Sequence, residues 1–292
     1  MASGNTTTTV LADSLPTIIA AARIVREFEG VMPNLVDRIT LEEGTGTKWN
    51  EISLAQLSAS DIGENTELNN PQLLDDTLFS IEPTVVGIET ILTDRVKGRI
   101  SSKVMGRVGA LGQNAIQRKK DDDGLAVLDG ATTDLGSAGT TLTSGHVASG
   151  AYQITSNTTE PGRPPIHCVL HGFTIKAIWD ELVKTPIATG TNMINEVTGK
   201  IYSEGFRGSI NSAMVHEDGN FTIDSSDDVN AGVFAKDAIV LVQGFGPRTE
   251  TERKQIGGGA DALFMYDEYA YGERSAGNWL YGMIFDASAP TS

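Results

Sequence analysis

Cysteine, aromatic residues and long apolar runs are all scarce in this chain of 292 residues. The single cysteine, Cys168, cannot form an internal disulfide, so the fold does not depend on oxidation. Aromatic residues make up only 6% of the sequence, which leaves Ile, Leu, Val and Ala to build the core. No uncharged apolar run approaches the roughly 18 residues of a membrane-spanning helix, and residues 1–10 lack the pattern of a signal peptide. We therefore expect a chain that is neither secreted nor bound to a membrane.

Basic residues are also few, with 22 Lys and Arg against 38 Asp and Glu, for a formal net charge of −16. Such a surface repels phosphate, because tight binding to nucleic acid needs local Lys and Arg that displace counterions. The composition argues against a dedicated DNA-binding protein. It suits a wall that encloses packed DNA without holding it tightly.

Motifs for catalysis are missing: the sequence has no Gly-x-Ser-x-Gly, His-Glu-x-x-His or Cys-x-x-Cys. One cluster, His167, Cys168 and His171, has side chains that could bind a metal. On a strand, however, Cys168 points away from the two histidines, and a fourth ligand would have to be an acid, His146 or His216. We favour structural histidines, and predict no catalytic, cofactor or metal site.

The pattern of apolar residues predicts both helices and strands. A helix is expected from Ser14 to Gly30, and two strand-like stretches, 47–54 and 77–83, flank a polar segment that cannot bury a core of its own. A connection this long suggests a projecting hairpin or loop. The remaining predictions are weak strands and loops at 131–156, a strand at 166–170, a helix at 173–183, strands at 200–203, 209–215 and 238–242, and C-terminal strands at 262–265 and 279–285 joined by 266–277.

The strongest helix signal runs from Leu92 to Ala115, where apolar residues recur every three or four positions. Continued to residue 120, the pattern predicts a helix of about 40 Å. Thr93 is a plausible N-cap. The run Asp121 to Gly124 lacks the spacing of a calcium loop and is interpreted as the helix terminator.

Charge is divided between two neighbouring segments. Residues 42–76 hold eight acids and one base, a net of −7, whereas residues 91–120 hold eight bases and one acid, a net of +7. Two solvated faces would explain this pattern, since exposed ion pairs contribute only about 0–1 kcal/mol each. The alternative is that the acidic projection of one subunit crosses the basic helix of the next. The contact residues of that hypothesis are Glu42, Glu43, Glu51, Asp61, Glu64, Glu67, Arg95, Arg99, Lys103 and Arg107.

The order of these features resembles major capsid proteins of tailed bacteriophages with the Hong Kong (HK) type fold. The resemblance rests on the long helix that begins Ile-Glu-Thr-Ile-Leu-Thr-Asp at 88–94, on the strand and helix at 166–173, and on Ala-Lys-Asp-Ala-Ile-Val-Leu-Val at 235–242. It implies an α+β fold. The implied parts are an N-terminal arm (1–38), an extended loop (39–90), a peripheral domain with a spine helix (91–124), an axial domain (125–245) and a return to the peripheral domain (246–292).

The resemblance also implies that copies form hexamers and pentamers of an icosahedral shell around double-stranded DNA. Scaffolding, portal and decoration proteins are the implied partners, and the virion capsid, assembled in the host cytoplasm, is the implied location. An encapsulin-type compartment, which has the same fold, is an alternative. A tail or decoration protein is a second alternative, against which the long basic helix argues, and an acidic hydrolase is a third.

Overall fold

The computed structural model describes residues 5–6, 28–44, 46–54, 56–59, 61–62, 64, 71–72, 76–99, 102–184, 208–275 and 277–291, with no side-chain description for 5–6, 102–107 and 182–184. The described part is an α+β structure in which strands outnumber helices. Its elements, in chain order, are β1 (Asn5–Thr6), α1 (Met32–Leu35), β2 (Asp37–Thr40), β3 (Trp49–Leu54), β4 (Asp76–Ile81), β5 (Thr84–Thr93), α2 (Asp94–Lys97), α3 (Ser102–Asp129), β6 (Asp134–Gly136), α4 (Ser144–Thr155), β7 (Ile166–Leu170), α5 (Gly172–Lys184), β8 (Ser209–Ile210), β9 (Ala213–Glu217), β10 (Asp228–Ala235), β11 (Ile239–Gln243), β12 (Arg248–Lys254), β13 (Ala260–Glu273) and β14 (Leu280–Asp286).

The first sheet is organised around the long strand β13. It follows the order β1-β5-β13-β11-β2, and β12 also pairs with β13. The N-terminal ten residues of β13 pair antiparallel with all of β5, and its last residues pair with β11. Strand β2 then adds parallel to β11. One sheet thus joins chain segments that lie more than 200 residues apart.

The second sheet follows the order β6-β14-β10-β7-β9-β8. Every residue of β7 is buried, because a central strand covered on both faces needs apolar side chains throughout. Helix α3 contacts β5 and β13 of the first sheet as well as β10 and β14 of the second. A continuous cluster of buried side chains, including Leu128 of α3, Phe234 and Phe285, forms the main core.

A separate two-stranded hairpin is formed by β3 and β4, which pair antiparallel from Trp49 opposite Ile81 to Leu54 opposite Asp76. The two strand-like stretches predicted at 47–54 and 77–83 are therefore confirmed as a hairpin. Trp49 and Phe79 make an edge-to-face contact with centroids 6.0 Å apart. Both rings pack beside Ile81 against β11 of the first sheet, so the base of the hairpin is attached to the body.

The predicted long helix was wrong at both ends. Leu92 belongs to β5, because it and Ile91 are buried in the first sheet; α2 follows, and the long helix is α3. Thr93 precedes α2 but makes no side-chain cap. The Asp121 to Gly124 run continues the helix instead of ending it. Buried tertiary partners, described below, outweigh the weak helix propensity of aspartate.

Helix α4 was predicted as weak strands and loops. Its buried face includes Gly150 and Ala151, and a side chain at Gly150 would overlap Val233 of β10. These small residues weaken the apolar pattern by which a helix is recognised in the sequence. They also allow the helix to lie close to the sheet. Thr143 and His146 form a capping box at its N-terminus, which satisfies free backbone N–H groups.

Other predictions divide between confirmed, wrong and untested. The strand at 166–170, the helix at 173–183 and the strands near 213, 239 and 280 are confirmed by β7, α5, β9, β11 and β14. The joining segment proposed at 266–277 is largely strand β13, and β10 was missed. The predicted N-terminal helix lies outside the described residues except at 28–30, which are not helical. The strand at 200–203 lies wholly outside them. No helix of the described part is long and apolar enough to cross a membrane.

Candidate inter-subunit surfaces

The β3–β4 hairpin has two chemically different faces. Along β3 the side chains alternate, so that Trp49 and Glu51 face the body while Ile52 and Leu54 face away. Ile52 and Leu54 are each 61% exposed, and Leu78, directly opposite Ile52, is 63% exposed. We call these three residues the apolar stripe. A contiguous exposed apolar cluster on a projecting element is typical of a surface that another protein covers.

The net charge of this segment does not reveal the apolar stripe. The signal was available in the alternation of WNEISL at 49–54, which places Trp49 on one face of a strand and both Ile52 and Leu54 on the other.

Arg274 fastens the hairpin to the first sheet. Its Nε donates to Glu51 Oε2 at 2.7 Å and its Nη1 donates to Asp37 Oδ2 at 2.8 Å. The guanidinium carbon lies 5.5 Å from the centre of the Trp49 ring. The Arg274 side chain is only 15% exposed, so these bonds are partly shielded from water. Glu51, one of the predicted inter-subunit acids, is therefore engaged within its own chain.

The other predicted acids lie at the surface. Glu42, Glu43, Asp61 and Glu64 are exposed, and Glu67 lies outside the described residues. Nearby, Lys48 pairs with Glu82 at 3.0 Å in an exposed ion pair. Among the described residues of this set, the acidic side chains other than Glu51 therefore lie at the exposed surface of the projection.

The predicted bases are not all on the long helix. Arg95 is an exposed residue of α2, and Arg99 is exposed in the turn that follows. Lys103 and Arg107 lie in the first turns of α3, where side chains are not described. The structure therefore brings Arg95 and Arg99 to the end of β5, where the sheet meets α2.

Several bases of the 91–120 segment are neutralised by acids of the same chain. Lys97 pairs with Asp261, and Lys119 pairs with Asp123 one helical turn away. Lys120 Nζ lies 3.0 Å from Asp267 Oδ2 in a buried pair. The charge of +7 counted from the sequence is therefore smaller at the surface.

A network of ion pairs surrounds α2. Arg253 of β12 donates to both Asp94 and Asp261, with an Nη1 to Asp261 Oδ1 distance of 2.8 Å. The hydrogen bond from Arg253 holds the pKa of Asp94 below its usual value. The Asp94 backbone N–H also donates to the carbonyl of Gly259 at 2.9 Å. These contacts fix α2 against the β12–β13 turn and hold Arg95 and Arg99 beside it.

His167, Cys168 and His171 each have different neighbours in the structure. His167 Nδ1 lies 3.1 Å from His216 Nε2, and burial lowers the pKa of His167 to about 4. His171 contacts Phe173 instead. Cys168 is fully buried, which raises the pKa of its thiol to about 12. Among the described residues, no group of three or more His, Cys, Asp or Glu is placed to hold a metal ion.

Comparisons with known proteins identify the fold. No protein-family model and no curated protein matches the chain, but solved structures match it over nearly its whole length. The capsid structure of the cyanophage P-SCSP1u has a TM-score of 0.70 at 12% identity and covers 96% of this chain and 95% of its own. A structure from Mycobacterium phage Che8 has a TM-score of 0.70 at 16% identity, with 94% and 98% covered.

The head structure of Helicobacter pylori bacteriophage KHP40 has a TM-score of 0.72 at 11% identity and covers 93% of this chain and 96% of its own. Identities this low show a shared fold and no more. The chain therefore has the HK-type fold of tailed-phage capsid proteins, which confirms the fold inferred from the sequence.

Proposed function

We propose that this chain is the major capsid protein of a tailed bacteriophage. Its copies form hexamers and pentamers that close into an icosahedral shell around double-stranded DNA. The observation that carries the proposal is the fold, which more than nine-tenths of the chain shares with phage capsid and head structures. The function is assembly, and no catalytic step is part of it.

The proposed domains do not coincide with the two sheets, since β11, within the axial range, belongs to the first sheet. The arm (1–38), the extended loop (39–90) and the peripheral segment that begins at 91 contribute to the first sheet or project from it, and α3 is the proposed spine helix. The axial domain (125–245) holds most of the second sheet. The return segment (246–292) is divided, since β12 and β13 lie in the first sheet and β14 lies in the second.

The proposed contact between subunits combines charge with apolar burial. The acidic hairpin of one subunit would lie on the Arg95 and Arg99 surface and α3 of the next, where charge complementarity sets register and speeds association. The apolar stripe would supply most of the affinity. Ile52, Leu54 and Leu78 are each about 60% exposed, and burying one aliphatic side chain fully contributes about 1.5–3 kcal/mol.

The first test is the mass of the purified protein by mass photometry, with negative-stain images of the same sample. Capsomers or closed shells far above 31.0 kDa are expected. A monomer that persists with added salt and crowding agents would contradict the proposal. The content of the particles is then measured, because DNA indicates a virion capsid, which we propose is assembled in the host cytoplasm, whereas a protein cargo indicates an encapsulin-type compartment. Scaffolding, portal and decoration proteins are the proposed further partners.

The second test addresses the contact. A variant with both Ile52→Ser and Leu78→Ser should remain folded, since these side chains are exposed, but should stop at or before the capsomer. A matched control is Tyr152→Ser, which changes a side chain of α4 that is 59% exposed and belongs to neither of the two proposed contact surfaces. Reversal of Arg99, Lys103 and Arg107 to Glu tests the electrostatic part separately. Normal shells from both sets of variants would refute this contact.

A further inference from the structure

The chain segment that enters α1 is held by two buried carboxyl groups. Asp121 of α3 and Asp218 of the turn after β9 are both 0% exposed. The backbone N–H of Met32 donates to Asp121 Oδ1 at 3.0 Å, and the backbone N–H of Val31 donates to Asp218 Oδ2 at 3.2 Å. Two consecutive peptide groups are therefore bound by acids from two different parts of the fold.

Asn220 joins the two carboxyl groups. Its backbone N–H donates to Asp218 Oδ1 and its Nδ2 donates to Asp121 Oδ2, both at 2.9 Å. Both carboxyl groups are thus held against the same Asn220, and a direct hydrogen bond between them would require a proton on one of the two. We call these two residues the Asp121–Asp218 pair. All the described N–H donors to the pair are neutral amides, so no basic side chain balances a second negative charge.

The segment over the pair is closely packed. A side chain at Gly30 would overlap the carboxyl group of Asp121, and a side chain at Gly219 would overlap the ring of Phe28. A side chain at Gly124, one turn along α3, would lie 2.8 Å from Met32 Cβ. Residues 28–32 can therefore occupy this position only while the pair and the three glycines leave room for them.

We propose that the Asp121–Asp218 pair is a proton-dependent latch that holds residues 28–32 against α3 and releases them when the shared proton is lost. With the proton present, both carboxyl groups accept N–H donors and bind each other. Without it, two carboxylates face each other away from water, which is unfavourable. The segment at 28–32 is the lid over the pair, so its opening admits water to the two charges.

The direction of the pH effect follows from the environment of the pair. Burial, followed by the neighbouring Asp218, raises the pKa of Asp121 to about 6. A raised carboxyl pKa means that the closed state binds the proton more tightly than the open state. The latch is therefore fully stabilised by the proton below the ordinary carboxyl pKa, and this contribution declines as pH rises to about 6 and stays lost above it.

Other titratable groups surround the pair on α3, β13, β2 and the adjoining segments. They are Arg118, Lys119, Lys120, Asp122 and Asp123 on α3, Asp267, Tyr269 and Tyr271 on β13, Arg38 on β2, Glu29 in the held segment and Glu217 beside the turn. Lys119 and Lys120 are paired with acids, and burial followed by Asp121 raises the pKa of Asp122. These groups carry charges of both signs, so burial and the neighbouring Asp218 remain the causes that favour the protonated pair.

Hydrogen exchange of the Val31 and Met32 amides tests the latch in the full-length protein. Protection factors, corrected for the intrinsic exchange rate, are measured at about pH 5 and about pH 8 in the same assembly state. The protection of these amides should fall by about 10-fold from the lower to the higher pH, because the closed state binds the proton with a pKa of about 6 and about one pH unit of the range lies below that value. Core amides of β11 should show no comparable change.

Three variants complete the test. Asp121→Asn keeps an acceptor for Met32 but carries no titrating proton, so its protection should be nearly independent of pH; Asp218→Asn should behave in the same way. The matched control is Asp129→Asn, an exposed residue at the end of the same helix, which should keep the pH dependence of the original protein. Gly30→Ala should expose the two amides at both pH values.

Equal protection at the two pH values in the original protein would overturn the proposal. So would an unchanged pH dependence in both Asp121→Asn and Asp218→Asn. The readout needs no shell formation, so its failure is distinguishable from failure of the proposed capsid function.

Discussion

Replacing Lys120 by Met should destabilise the subunit by about 3–5 kcal/mol. The Lys120 side chain is 7% exposed and its Nζ lies 3.0 Å from Asp267, which is 0% exposed. The ammonium group also lies 4.7 Å from the centre of the Tyr269 ring. Loss of the lysine leaves a carboxylate buried without its counterion. The expected penalty is mainly the cost of that charge, and only partly the lost attraction.

A double variant separates the two contributions. Adding Asp267→Asn to Lys120→Met removes the stranded charge but leaves an acceptor for Gln243 Nε2, 3.2 Å away, and for the backbone N–H of Glu268, 3.0 Å away. We expect it to recover about 2 kcal/mol or more of the loss, since interaction energies between contacting residues reach about 0.5–3 kcal/mol.

The assay is urea unfolding of the unassembled subunit, followed by circular dichroism. Lys119→Met is the matched control, because Lys119 is the preceding residue, is 54% exposed and pairs with Asp123; its loss should cost about 0–1 kcal/mol. Equal costs for the two lysine variants, or no recovery in the double variant, would refute the reasoning.

Three smaller predictions follow from other contacts. Gly150→Val should destabilise the subunit by about 1–3 kcal/mol, because the new side chain overlaps Val233. Thermal unfolding checks this beside Gly145→Ala, whose added Cβ would make only an ordinary contact, 3.6 Å from Thr143 Oγ1. Arg274→Ala should speed protease cleavage between residues 55 and 75, because the hairpin loses its anchor to the sheet; unchanged cleavage would contradict that role. The thiol of Cys168 should resist labelling in the native protein and react once in denaturant, because it is buried and its pKa is raised to about 12.

The sequence predicted those elements whose own residues determine them. Strand β7 is five consecutive buried residues between breaks, and α5 carries apolar residues at helical spacing, so local pattern sufficed for both. The hairpin could be predicted because its strands are separated by a segment too polar to fold alone. The order of elements then sufficed for the fold.

The misplaced elements depend on residues far away in the sequence. Leu92 fits the helical pattern of apolar residues as well as it fits a strand, but the pairing of β5 with β13 places it in the first sheet. Helix α4 has too few large apolar residues to be recognised, because its sheet partner leaves no room for them. In the candidate contact surface, Glu51 forms an ion pair within its own chain. This pair could not be predicted from the local sequence, because its partner, Arg274, follows more than 200 residues later.

The acidic run at 121–123 shows how a local signal can be reversed by tertiary partners. In an isolated peptide these aspartates would end the helix, since Asp is a weak helix former. In the folded chain the Asp121 carboxyl group accepts a hydrogen bond from the backbone N–H of Met32. The Asp123 carboxyl group accepts one from the hydroxyl of Tyr269 at 2.8 Å. Because each acid is bound by a different part of the structure, helix α3 continues far enough to reach the second sheet. The run at 121–123 therefore connects helix α3 to residues 28–32 and to strand β13. A change in the protonation of Asp121 would weaken the contact between α3 and residues 28–32.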